Sequence, residues 1–347
     1  MKKFLFSVLA VGAIVACTKS EVKLDAPSEI AFAPVATTAT KAAIDNNVFP
    51  RDKDFNVWAF YAKDAASANP HYPNFATEYI TDATFTRRVN KLVWGGKAQS
   101  YYWPNNGSLV FAGYSVPDGS FTPSPADNEK PANPSYELSA DKLTINGYTQ
   151  PEPTLGYSEL LWFSRTASYN NRANGADVDV TFNHALSWIT LNFRGTEATA
   201  NAWEILKVEF KGVVSTADVA CVGKKATWTN GTNIKDILIY GTSDEVTTAT
   251  NGTTLKTTSL TLENVSKGTL VIPQSAKKVE ITYKFNSPAG VTIVETVTAD
   301  LKAGNVDSWE NGKHYIYDIT FSATEILINP SVETWVEVNN IPAIPAE

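Results

Sequence analysis

Apolar and polar side chains alternate with a period of two along much of this chain, and no other feature constrains its fold as tightly. Val178, Val180 and Phe182 alternate with Asp177, Asp179 and Thr181. Ile189, Leu191 and Phe193 alternate with Thr190 and Asn192, and Leu206, Val208 and Phe210 with Lys207, Glu209 and Lys211. The pattern returns at Val279, Ile281, Tyr283 and Phe285, and again at Tyr315, Tyr317, Ile319 and Phe321. Successive strand side chains point to opposite faces, so each set turns one face to a core and the other to solvent. After the N-terminal apolar segment there is no helical period. Clusters of Gly, Asn, Asp and Pro separate the runs, as turns require. The pattern predicts an all-β chain built as sandwiches.

A length of 347 residues suffices for two domains. Residues 55–61, 109–114 and 160–163 read as buried strands of a first half. Residues 117–134, rich in Pro, Ser, Asp and Asn, read as an exposed loop or crossover. The polar, turn-rich interval 170–175 places the boundary, giving domains over 52–175 and 176–347. A net charge of −7 with scattered Lys and Arg excludes the basic stripe that nucleic-acid binding needs.

The N-terminus reads as a targeting segment. Lys2 and Lys3 precede an apolar stretch, 4–16, that falls short of the roughly 20 residues needed to span a bilayer. Ile14-Val15-Ala16-Cys17 fits a lipobox, which makes residues 1–16 a signal peptide and Cys17 the site of lipid attachment to an outer membrane. Cys221 is the only other cysteine, so an acylated Cys17 leaves no intramolecular disulfide. Cys221 itself reads as a buried small apolar residue.

Residues 17–51 then form a leader. It carries a short apolar strand with Ile30 and Phe32, followed by basic sites at Lys41 and Arg51 among small and polar residues. Exposed extended chain of this kind is where proteases nick. A cut at Lys41 or Arg51 would release the strand.

Chemistry-bearing constellations are sparse. His71, His184 and His314 lack metal-ligand spacing, and no zinc-type cysteine pair exists. His184 reads as structural. Asp177 and Asp179 share a strand face and read as solvated rather than as a cation site. No nucleophile elbow, phosphate loop or dinucleotide fingerprint is present. The expectation is therefore a non-enzyme with no catalytic, cofactor or metal residues. Trp94, Tyr101, Tyr102, Trp103 and Tyr114 crowd one interval. Exposed, they would suit sugar rings and a glycan-binding surface lipoprotein; buried, they fill a sandwich core, which is the better reading.

The C-terminus holds two apolar runs, 325–328 and 331–338, with Pro330 between them, which predicts two separate short strands. Val332, Val336 and Val338 belong to the second run. It either completes its own domain or is donated to a groove on a neighbouring molecule.

Several segments in this order resemble the fimbrillin-like proteins, the type V pilins and related surface lipoproteins of the Bacteroidales. They are the lipobox at Cys17, Ile30-Ala31-Phe32, Thr40-Lys41-Ala42, and Tyr102-Trp103-Pro104 followed by Leu109-Val110-Phe111-Ala112-Gly113-Tyr114. Further on come Phe182-Asn183-His184-Ala185-Leu186-Ser187, Leu270-Val271-Ile272-Pro273-Gln274, Gly312-Lys313-His314-Tyr315-Ile316-Tyr317, and the stretch 331–335. The resemblance implies two β-sandwich domains of transthyretin-like type. It also implies lipoprotein export to the cell surface, trypsin-like removal of the leader by a processing protease, and polymerisation with other pilin subunits by strand exchange into a fimbrium. Members often carry arginine at the cleavage position, where this chain has Lys41. A strict arginine protease would pass Lys41 and use Arg51, or leave an uncleaved anchor subunit.

Overall fold

The computed structural model describes residues 28–33, 49, 53–62, 77–89, 91, 93–105, 107–115, 136–139, 142–150, 159–168, 177–222, 225–242, 244–260, 262, 268–302 and 304–334. Among them there is no helix and no cis peptide bond. The strands of the first half are β1 (Phe32–Ala33), β2 (Phe55–Ala62), β3 (Thr77–Arg87), β4 (Trp94–Gly96), β5 (Ser108–Ser115), β6 (Tyr136–Ser139), β7 (Lys142–Thr149) and β8 (Leu161–Ser168). Then follow β9 (Val178–Asp179), β10 (Asn183–His184), β11 (Ser187–Gly195), β12 (Trp203–Val222), β13 (Lys225–Tyr240), β14 (Thr253–Thr254) and β15 (Thr269–Val271). The last are β16 (Gln274–Ser275), β17 (Lys278–Asn286), β18 (Thr292–Asp300), β19 (Ser308–Trp309), β20 (Lys313–Phe321) and β21 (Ile326–Thr334). The expected β-sandwich class is the observed one.

An eight-stranded sheet runs in the order β10-β8-β5-β2-β3-β4-β1-β9. Its two end strands are four residues apart in the chain, so residues 180–182 step from one end of the sheet to the other. The sheet therefore wraps on itself around a single core. Val178, Val180 and Phe182 all join that core, though the chain changes sheet edge between them. Their alternation, which reads as one strand, belongs to two short ones.

The second half is a sandwich. One layer is β15-β11-β20-β21, in which β11 and β20 run parallel from Trp188↔His314 to Gly195↔Phe321. The other is β18-β17-β12-β7-β6, with β13 and β14 paired to β12. Ile189, Leu191 and Phe193 of β11 and Tyr315, Tyr317, Ile319 and Phe321 of β20 face Val208, Phe210, Val279 and Ile281 across the core. β16 and β19 form a separate two-stranded ribbon.

β12 organises the molecule. Its residues 203–211 pair with β17 and its residues 216–222 with β7, while β13 follows the other edge from Val208 to Val222. Between the two stretches Gly212 takes a φ of 66° at a register shift, and its N–H donates to Asp236 Oδ1 at 2.8 Å. This left-handed conformation suits glycine, and the bulge bends the strand. Strands β6 and β7, from the first half of the sequence, thus lie in a sheet of the second.

A third core forms where the halves meet. Trp58, Phe60, Tyr114 and Trp162 on the outer face of the first sheet pack with Leu143, Ile145 and Tyr148, with Ala217, Val219 and Cys221, and with Leu186, Trp188, Leu270 and Ile272. Cys221 is fully buried, as expected, and burial pushes its thiol pKa up. The segment between the cores is well satisfied. Trp228 Nε1 donates to Ala185 O at 2.8 Å, Gly312 N to Leu186 O at 2.9 Å, and Ser187 Oγ to Glu310 O at 2.8 Å.

β21 departs from the two-run expectation. It is one strand paired with β20 from Phe321↔Ile326 to Lys313↔Thr334, with Pro330 opposite Tyr317. It is an edge strand, where a residue without an N–H costs no ladder bond if that position faces outward.

Candidate functional site

The leader strand lies inside the first sheet. β1 pairs antiparallel with β4 (Phe32↔Trp94) and parallel with β9 (Phe32↔Val178, Ala33↔Asp179). Ile30 N donates to Tyr101 O at 2.7 Å, Trp103 N to Ser28 O at 3.0 Å, and Val178 N to Ala31 O at 2.8 Å. The segment thus fills a slot with a wall on each side, and its loss would leave both walls with unpaired backbone groups.

Alternation decides what the segment buries. Ile30 and Phe32 are fully buried, while Glu29, Ala31 and Ala33 face the other way. The Phe32 ring sits among Phe55, Phe85, Phe111 and Phe163, with centroids 4.9–5.9 Å away. Three of the four contacts are edge-on, the geometry the aromatic quadrupole favours. Burying an isoleucine and a phenylalanine contributes about 1.5–3 kcal/mol each. Phe49 adds a second aromatic from the leader, stacked on Phe182 at 4.7 Å and edge-on to Phe55 and Trp94. Sequence reasoning missed it; the only signal was one large aromatic in a polar stretch before Pro50.

The outer face of the slot is polar. Glu29 pairs with Arg88 and accepts from Ser100 Oγ at 2.9 Å. On the far wall Asp177, its carboxyl pKa raised by burial, interacts with Lys91. Among the described residues no cluster of His, Cys, Asp and Glu could hold a metal ion, so Asp177 and Asp179 have no third ligand there.

The other expected residues are scattered. Val332 lies in another sheet, 47% exposed, opposite Tyr315. Cys17, Lys41, Arg51, Val336, Val338 and His71 fall outside the described residues. His184 is buried and pairs with Glu159. His314 stacks on Trp188 at 3.6 Å and bonds Thr190 Oγ1 through Nε2 at 2.9 Å; burial lowers its pKa to about 4. Of the clustered aromatics, Trp94 and Trp103 are core residues, Tyr101 stacks on Phe85, and Tyr114 stacks on Trp58. Only Tyr102 is exposed, at 45%. They mostly fill cores rather than form a sugar platform.

The architecture is that of a β-sandwich protein completed by a strand from its own N-terminal segment. The chain belongs to the fimbrillin-like family, whose model matches residues 37–335. Members of that family are structural proteins, and this chain is not an enzyme. A crystal structure described as a cell adhesion protein from Bacteroides uniformis is similar, with 16% identity and a TM-score of 0.51 over 89% of this chain and 99% of that one. A fimbrial protein from Bacteroides vulgatus is similar with 14% identity and a TM-score of 0.51 over 89% of this chain and 100% of that one. At such identity the likeness is one of fold. No curated protein matches the sequence.

Proposed function

We propose that this chain is a surface pilus subunit that is exported as a lipoprotein anchored through Cys17 and polymerises by strand exchange. The reading assigns leader removal to Lys41 or Arg51, cut by a processing protease. The observation that carries it is the placement of Ile30 and Phe32. A six-residue segment, separated from β2 by a cleavable stretch, fills a two-walled slot at the centre of an aromatic core. Once the leader is cut, the segment is held only by non-covalent contacts, and its departure opens a groove with backbone partners on both sides. Head-to-tail filling of such grooves does not close on itself and grows a filament.

In this reading the two halves, 52–175 and 176–347, are the two domains of the subunit, with β6 and β7 lent to the second and β9 and β10 to the first. The donor strand is the C-terminal run with Val332, Val336 and Val338. β21 is held along one edge only, and its last residues, from Ser331 to Thr334, are exposed. The test is Lys41→Ala with Arg51→Ala, which should leave an uncut, lipid-bound, monomeric form. Polymers at normal yield from that variant would overturn leader control. Loss of fatty-acid labelling in Cys17→Ala is expected of the anchor, and persistent labelling would remove it.

A further inference from the structure

The slot holds the leader strand by more than its apolar face. Arg88 reaches Glu29 by lying flat against Gly95 of β4, where its guanidinium leaves no room for a Cβ. The backbone of Arg88 is tied down on its own turn: its N–H donates to Val93 O at 2.8 Å and its carbonyl accepts from Lys91 N at 3.2 Å. Ser100 sits beside it on the loop after β4. Both therefore belong to the wall of the slot rather than to the strand. Among the other charges at this end, Lys91 and Asp179 both interact with Asp177.

Apolar alternation alone does not fix register. A slip of one residue turns the wrong face inward, but a slip of two keeps the same face inward, with one of Ile30 and Phe32 still in the slot and Ser28 or Pro34 in the other place. It moves every side chain by about 6.6 Å along the strand, which carries an acid out of reach of a fixed guanidinium. An acidic side chain next to the first buried position distinguishes the two registers. Here that side chain is Glu29, immediately before Ile30.

We propose that Arg88, with Ser100, is the register-setting residue of the slot. The strand that fills it in an assembled pair comes from a second subunit and carries an acidic residue directly before a buried apolar side chain, as the C-terminal run does with Glu337 before Val338. This deepens, and rests on, the strand-exchange reading above. The Arg88 and Glu29 side chains are 34% and 37% exposed, so the pair contributes modest affinity and chiefly decides which strand docks and where.

The test uses the full mature chain with a specific protease site placed within residues 41–51, cut so that the leader remains seated. Two labelled peptides then compete for the slot: the sequence of residues 28–33, and the same peptide with lysine replacing its glutamate. The glutamate peptide should be taken up about fivefold or more in preference, by a margin that narrows with salt. Arg88→Glu should reverse the order. Arg88→Gln, which keeps the length without the charge, should remove the preference and keeps the test open if charge reversal unfolds the protein. Equal uptake by the unsubstituted protein, or a preference that survives Arg88→Gln, overturns the role of Arg88 and leaves strand exchange standing. Uptake of neither peptide overturns strand exchange itself and this inference with it.

Discussion

Phe32 meets Phe85 edge to face, with ring centroids 4.9 Å apart and planes at 82°. One ring comes from β1 and the other from β3, 53 positions later, so part of the first core is supplied by the N-terminal segment. Phe32→Ala removes contacts with four aromatic rings in a site with no exposure. It should cost about 3–5 kcal/mol, read as a lower denaturant midpoint in the uncut protein. A shift within error would mean that the core does not depend on the leader.

His314 makes stability fall with acid. Its pKa drops from 6.5 to about 4 because burial against Trp188 disfavours the cation. The unfolded chain takes up this proton below about pH 6.5, whereas the folded chain resists until about pH 4. Stability from this group is thus fully present above pH 6.5 and lost as pH falls towards 4, by at most about 3 kcal/mol. Glu333 Oε2 lies 3.9 Å from Nδ1 but is largely exposed, and burial sets the direction of the shift. His314→Phe keeps an aromatic ring for the stack and cannot be protonated. Its stability curve should be flatter than that of the unsubstituted protein across this window, and parallel curves would contradict the assignment.

Glu159 and His184 form a pair in which both side chains are almost wholly buried. His184→Leu leaves the carboxylate buried without its imidazole and should destabilise by about 3–5 kcal/mol. Adding Glu159→Leu removes the charge as well and should restore most of the loss. A double variant as unstable as the single one would show that packing, not charge, sets the cost.

The C-terminal truncation distinguishes donor from resident strand. Ile326 and Ile328 pack on the second core, while the side chains from Ser331 to Thr334 are exposed. Deleting residues 331–347 should leave a folded monomer with an unchanged β-type far-UV spectrum that fails to polymerise. Deleting from 326 should lower thermal stability as well. Unchanged polymerisation by the shorter chain would refute donation.

Strand content was legible because a strand with one face on a core must alternate, and β11, β17 and β20 do. Partner choice was not. Nothing in the residues from Val178 to Phe182 signals that the chain leaves one sheet edge and joins the opposite one, since both ends face the same core. β12 was legible only in part. Ile205 and Leu206 are both buried across a register shift, and Gly212 marks another, so no single parity runs through its 20 residues. The leader strand was visible as Ile30 and Phe32. Arg88 and Ser100 were not, because a charge and a hydroxyl acquire meaning only when folding brings them 59 and 71 positions back to Glu29.

The length of β12 has a mechanical meaning. At about 3.3 Å per residue its 20 residues measure roughly 65 Å along the strand, through the bend at Gly212. One end is buried in the second sandwich and the other in the core between the halves. Bending the molecule at its waist would have to break this strand in its middle and peel both neighbours from it. A load passed along a chain of such subunits is borne by a continuous girder rather than by a linker, so each subunit should flex as a rod and leave compliance to the joints between copies.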